Sequence, residues 1–161
     1  MPDDAPVTQA ALWRRLEAFI EPGDIVAADQ GTASYGLLGL RLPAGVDVIT
    51  QMLWASIGYT LPAIIGAKLA STPRRRAVLI IGDGALQMTV QELGTVIRHG
   101  LEPIIIVLNN DGYTVERAIN GPTASYNDVA RWNLTDLPCA FGAPHDTVIR
   151  RASTTQNSTM H

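Results

Sequence analysis

Ala77-Val78-Leu79-Ile80-Ile81-Gly82-Asp83-Gly84 is a short apolar run that stops at an acid between two glycines. Ile104-Ile105-Ile106-Val107-Leu108-Asn109-Asn110-Asp111-Gly112 repeats the pattern with an amide in the acid's place. Runs of this length, rich in Val and Ile and without polar alternation, suit strands buried on both faces of a parallel sheet. The interval between them has the length of one crossover, strand to helix to next strand. If the two strands are neighbours, Asp83 and Asn110 emerge together at the carboxyl edge of the sheet, where open α/β sheets bind ligands.

Outward from this pair, strand and helix alternate. Thr8 can cap a helix running to about Ile20, with Leu12, Leu16 and Phe19 or Ile20 on one face, ended by Pro22-Gly23. Asp24 to Ala28 reads as a first strand closed by Asp29-Gln30-Gly31-Thr32, followed by a short Gly-containing helix to Leu40. Val46 to Thr50 reads as a second strand, and Ser56 to Ala70 as a buried helix interrupted by Pro62 and glycines. Thr89-Val90-Gln91-Glu92 has the form of a capping box and predicts a helix from Thr89 to Arg98. The fold class that follows is α/β, a doubly wound, mostly parallel sheet with flanking helices. Val148-Ile149-Arg150 looks like the start of a further strand, and the polar residues 151–161 are expected to be loose.

The residue types at the sheet edge point to a cation and a phosphate. Magnesium takes oxygen ligands in a small octahedron and keeps water and substrate phosphates in its shell. The carboxylate of Asp83, the amide oxygen of Asn110 and a backbone carbonyl would supply three ligands, leaving three for diphosphate and water. Glycines at 82, 84 and 112 let the backbone turn and approach a ligand closely. Asp-Gly and Asn-Gly are also ordinary turn pairs. It is the two together, each after an apolar run and one crossover apart, that makes the signal specific.

The stretch from Gly82 to Glu116 resembles the thiamine-diphosphate signature, Gly-Asp-Gly followed at the right interval by Asn-Asn. The text Gly112-Tyr113-Thr114-Val115-Glu116-Arg117-Ala118-Ile119 is similar to that of the 2-oxo-acid decarboxylases, particularly the indolepyruvate, phenylpyruvate and branched-chain types. Trp54-Ala55-Ser56-Ile57-Gly58-Tyr59-Thr60, Tyr126-Asn127-Asp128 and Trp132-Asn133 extend the resemblance from about residue 8 to about residue 150. It implies a diphosphate-binding domain over residues 1–150. It also implies that a helix, a final strand and a carboxyl-terminal helix would follow, so the domain is expected to be incomplete at its carboxyl end.

The resemblance assigns roles to individual residues. Asp83, the side-chain oxygen of Asn110 and the carbonyl of Gly112 would hold Mg2+. Gly84 and Ala85 would lie at the diphosphate, with Ala85 in a position where some relatives carry Ser. Thr32 matches a position near the diphosphate, although on spacing alone it serves equally as a helix cap. Ile57 matches the apolar wedge that bends the thiamine so that its exocyclic nitrogen reaches the thiazolium C2 proton. The carbonyl of Ala55, where relatives often have Gly, matches the acceptor for that nitrogen. Without the resemblance Ile57 would read as core. Glu116 matches a glutamate that assists decarboxylation and protonation. In a closed apolar pocket its carboxyl could hold a proton near neutral pH. Read without the resemblance, Glu116 is a solvated helix-start residue paired with Arg117 or the helix dipole. Val115 and Ile119 could line the same pocket or belong to the core. Arg74-Arg75-Arg76 reads as a solvated loop, and His99 as a helix-end residue.

Composition bounds the alternatives. The chain has 161 residues, enough for one domain with a true core. Apolar residues make up 47% and charged residues 17%, which excludes a disordered chain. A net charge of −3 provides no basic footprint for nucleic acid. The lone Cys139 excludes a disulfide framework and a cysteine metal cluster. No apolar run reaches membrane-spanning length, and Met1-Pro2-Asp3-Asp4 lacks a signal peptide's apolar core, so a cytoplasmic protein without membrane contact is expected.

Three functions fit. The first is the magnesium and thiamine diphosphate domain of a decarboxylase that converts an aromatic or branched-chain 2-oxo acid to an aldehyde and carbon dioxide. The second is the small subunit of a split decarboxylase or carboligase. The third is a non-catalytic module that binds magnesium diphosphate. In the first two, the resemblance implies a pyrimidine-binding domain from another subunit or chain as partner. It also implies a homo-oligomer when full length, and inactivity of this chain alone.

Overall fold

The computed structural model describes residues 5–72 and 74–154. Four strands, β1 (Ile25–Ala28), β2 (Asp47–Ile49), β3 (Ala77–Gly82) and β4 (Ile104–Leu108), form one sheet in the order β2-β1-β3-β4. Every pairing is parallel. The register sets Gly82 opposite Leu108, so the residues after β3 and β4 leave the same edge side by side.

Helices cover both faces, which makes the sheet doubly wound. On one face α1 (Gln9–Phe19) and α2 (Thr32–Leu38) bring Leu16, Ala33 and Leu37 against Val26, Ala28, Val78, Ile80 and Leu108. On the other, α3 (Thr60–Ala70) and α5 (Glu92–Arg98) bring Leu61, Ile64, Leu93 and Val96 against Ala27, Leu79 and Ile81. Successive strand residues point to opposite faces, and both faces are packed, so the strands need no polar alternation. β1 and residues 77–81 of β3 are fully buried. β4, at the sheet edge, is only half-buried before Leu108.

Thr8 caps α1 as its position implies, its hydroxyl accepting from the Ala11 N–H at 3.2 Å. The capping box at Thr89 does not form. A helix, α4 (Asp83–Thr89), already starts at the acid after β3, and Thr89 is its last residue. The Thr89 hydroxyl donates instead to the Gly58 carbonyl at 2.9 Å. At 90–91 the chain tightens, with Leu93 N bonding Val90 O and Gly94 N bonding Gln91 O, and α5 continues from Glu92. The helix expected from Ser56 starts only at Thr60.

The arginine run is not a solvated loop. Arg75 donates to the Gly23 carbonyl and pairs with Asp47 at 2.7 Å. Arg76 pairs with the buried Asp24 at 2.9 Å and stacks over Phe19. Together they fasten the turn after α1 to the entry of β3. Residues 148–150 form no strand. Beyond them Val7 N donates to Ser153 O at 3.2 Å and Pro6 bridges Thr154, so the supposed tail is paired that far. Residues 155–161 of the expected loose segment lie outside the described residues.

Candidate functional site

Asp83 and Asn110 lie together because β3 and β4 are neighbours in register. A pocket opens over this edge, lined by Thr32, Ile57, residues 82–85, Asn110 and residues 112–116. Of the residues expected to hold metal or cofactor or to carry a proton, Ala55 alone is not part of the lining. Its φ of 49° places it in the left-handed region, where a Cβ is unfavourable.

Asp83 is buried, with 3% of its surface exposed. Its Oδ1 accepts from Gly84 N at 2.8 Å and its Oδ2 from Gly112 N at 3.1 Å. Burial raises the Asp83 carboxyl above its ordinary value of 3.8, and the backbone N–H groups pull it only part of the way back. A cation beside the carboxylate would relieve that desolvation.

The Asn110 amide can satisfy its neighbours in two ways. With its Nδ2 donating to Thr114 Oγ1 at 2.7 Å and 3.5 Å from Thr32 Oγ1, its oxygen faces Asp83 Oδ1 and the Gly112 carbonyl, each 3.2 Å away. Reversed, its nitrogen donates to both of those oxygens, and its oxygen accepts from Thr114. The first arrangement gathers oxygens that repel one another unless a cation lies between them. Ligand oxygens about 2.1 Å from magnesium and at right angles are about 3.0 Å apart, close to this spacing. The residues therefore fit the metal. Among the described residues no cluster of three His, Cys, Asp or Glu side chains is placed to hold one, and the candidate donors at this edge are one carboxylate, one amide and one carbonyl.

Gly112 is required where it stands. Its φ is +126°, and a Cβ there would meet the Asn127 carbonyl oxygen at 2.1 Å. That carbonyl accepts from Tyr113 N at 2.9 Å, which locks the 125–127 turn onto the loop after β4. Arg117 braces the same loop, donating to Asp111 O at 2.5 Å and pairing with Asp128 at 2.7 Å. Asn127 itself is fully buried, and neither polar atom of its side-chain amide has a partner.

Glu116 lies in the first turn of α6 (Thr114–Asn120) and lines the pocket, but it is exposed rather than enclosed. Val115 lines the pocket as well, whereas Ile119 is 74% exposed and belongs to neither pocket nor core. Tyr113 also lines the pocket, and its hydroxyl is shifted above 10.0 by burial and then by the charges of Glu116 and Asp83.

Sequence reasoning passed over Asp29, which is fully buried. Its Oδ1 accepts from Gly58 N at 3.0 Å, and its Oδ2 from Thr60 N and Thr60 Oγ1 at 3.2 and 2.5 Å. The one signal for it was its position, since like Asp83 it is an acid directly following an apolar strand.

Residues 29–156 match the family model described as thiamine pyrophosphate enzyme, C-terminal TPP binding domain. An alpha-keto-acid decarboxylase of Mycobacterium tuberculosis (strain ATCC 25618 / H37Rv) is 58% identical over 147 residues, covering 91% of this chain and 26% of that protein. An alpha-keto-acid decarboxylase of Mycobacterium ulcerans (strain Agy99) is 57% identical over the same length, with the same coverage of each chain. One of Mycobacterium leprae (strain TN) is 58% identical over 144 residues, covering 89% of this chain and 25% of that protein. The chain thus spans about a quarter of the length of the curated relatives it matches.

Proposed function

From the fact that this chain belongs to the thiamine pyrophosphate enzymes, matching their C-terminal TPP-binding domain, we propose that it holds the magnesium diphosphate end of the cofactor in a decarboxylase acting on an aromatic or branched-chain 2-oxo acid. The observation that carries the magnesium reading is the convergence of Asp83 Oδ1, the Asn110 side-chain amide and the Gly112 carbonyl, the amide turning its oxygen to the other two in one of its two settings. Bound there, thiamine diphosphate supplies the electron sink for loss of carbon dioxide.

The chain's own groups divide the remaining tasks. Asp83, Asn110 and Gly112 hold the cation, with Thr114 orienting the Asn110 amide. Gly84 and Ala85, both buried, give the diphosphate a wall of small residues, and Thr32 offers a hydroxyl. Ile57 and Val115 give the pocket its apolar wall, against which the organic part of the cofactor is held. Glu116, at the solvent side, is placed to hold or deliver a proton to a substrate entering there. A pyrimidine-binding domain from another subunit or chain covers that side, excludes water and makes Glu116 effective. The full protein is then a cytoplasmic homo-oligomer.

Titration calorimetry of the chain with pyrophosphate, with and without magnesium, tests the binding reading. Binding that requires magnesium is expected, and metal-independent or absent binding would refute it. Coexpression with a pyrimidine-binding domain, followed by aldehyde assays over aromatic and branched 2-oxo acids, tests the catalytic one. The chain alone is expected to produce no aldehyde.

A further inference from the structure

We propose that Asp29 is a positioning residue for the apolar wall of the cofactor pocket, acting through the Ile57-Gly58 turn. The inference rests on the magnesium diphosphate reading and extends it to the part of the ligand beyond the phosphates.

The pocket has two unlike kinds of lining. Asp83 Oδ1, the Asn110 side-chain amide and the Gly112 carbonyl meet in it, and Ile57 adds an apolar side chain from a separate segment of the chain. A ligand whose diphosphate meets the polar lining presents its organic part to Ile57. Ile57 packs its side chain against the core of that face, but the segment that leads to it is open. Residues 53–56 are exposed, Leu53 and Trp54 by 93% and 81%, and Ala55 is in a left-handed conformation. No helix begins until Thr60.

What fixes the turn is the peptide group after Ile57. Gly58 is held on both sides, its N–H donating to Asp29 Oδ1 at 3.0 Å and its carbonyl accepting from Thr89 Oγ1 at 2.9 Å. Gly58 has φ +81°, and a Cβ on it would meet Met88 Cβ at 2.8 Å and the Ala85 carbonyl at 3.1 Å. The turn is therefore pressed onto α4, the helix that opens with Asp83. Asp29 closes β1 and Asp83 follows β3, its neighbour in the sheet. The clamp thus sets the distance between the apolar wall and the metal end from within the sheet edge.

The substitution Asp29→Asn separates this role from general stability. The amide that replaces the carboxylate would have one oxygen for three donors. Turned toward Thr60 that oxygen keeps two of them, and the amide nitrogen then faces Gly58 N–H, a donor against a donor. In that setting the start of α3 stays capped, and the Ile57-Gly58 peptide is released. Thr89→Val releases the next peptide, Gly58-Tyr59, by its carbonyl, so that Gly58 is freed from its other side without a change of side-chain shape.

The test is calorimetric binding of two ligands to the parent chain, Asp29→Asn and Thr89→Val, with thermal unfolding as the check on folding. The probes are magnesium pyrophosphate and magnesium thiamine diphosphate. Both variants should bind thiamine diphosphate about tenfold more weakly, the equivalent of one hydrogen bond, while pyrophosphate affinity stays within about twofold of the parent. Equal weakening of both ligands, or unchanged thiamine diphosphate affinity, would overturn the positioning role. If Asp29→Asn does not fold, Thr89→Val decides the matter alone. A parent chain that does not bind magnesium pyrophosphate overturns the diphosphate reading itself, and this inference with it.

Discussion

Gly112→Ala should dismantle the metal loop while leaving the sheet in place. The added Cβ would stand 2.1 Å from the Asn127 carbonyl oxygen and must retreat by about 0.9 Å to reach even the 3.0 Å that such contacts essentially never undercut. The obstacle is backbone, and the Tyr113 N–H holds it at 2.9 Å, so it cannot swing aside as a flexible side chain would. A φ of +126° adds strain of its own for any residue with a Cβ. Backbone strain of about 1–3 kcal/mol and overpacking of about 1–3 kcal/mol together predict a destabilisation of about 2–6 kcal/mol. A retreat on this scale also draws the Gly112 N–H away from Asp83, now 3.1 Å off, and moves the carbonyl out of the oxygen cluster. Urea unfolding measures the first effect and calorimetry with magnesium pyrophosphate the second. Gly82→Ala is the control, because Gly82 has an ordinary φ of −72° and nothing within 4 Å of a built Cβ, so its stability should change by less than about 0.5 kcal/mol. A Gly112→Ala chain as stable as this control, with magnesium pyrophosphate binding intact, would refute the account of the loop.

Further outcomes follow from the same geometry. In the chain completed by a pyrimidine-binding domain, Glu116→Gln should lower turnover by about 100-fold to 10,000-fold at unchanged cofactor affinity. Asp83→Ala should instead recover at least in part with excess magnesium and cofactor, and kinetic titration of both separates a proton carrier from a metal ligand. Because burial raises the Asp83 carboxyl in the folded chain, the folded state binds that proton more tightly than the unfolded one. The metal-free chain should therefore lose stability as pH rises from about 3.8 through the folded value, and Asp83→Asn should flatten that slope in urea titrations at stepped pH. Without metal the Asn110 nitrogen is free to donate to Asp83 and Gly112, whereas magnesium requires the oxygen there. The Asn110 side-chain amide resonances should shift on adding magnesium with pyrophosphate, and unchanged resonances in a chain that binds both would remove Asn110 from the metal shell.

The sequence by itself determined the four strands and the edge that carries the site. Unbroken apolar runs at 77–81 and 104–108 can be buried only between two helical layers, and the acid or amide that ends each run must then fall at the carboxyl edge. Both facts depend on order along the chain, so they are legible there. The tertiary structure decided what depends on contacts between distant segments. Thr89 and Glu92 carry the letters of a capping box, but the helix already begins at Asp83 and the Thr89 hydroxyl finds the Gly58 carbonyl. Arg75 and Arg76 look like a solvated run until the fold brings them Asp47 at the start of β2, Asp24 in the turn after α1 and the Phe19 ring at the end of α1. Asp29 looks like one more turn residue, and only the folding of Gly58 and Thr60 onto the end of β1 makes it a clamp. A hydrogen bond is directional and short-ranged, so a polar group's role is fixed by whichever partner the fold brings within about 3 Å. Burial of an apolar run needs no particular partner, and that is why the sheet could be read from the sequence and the clamp could not.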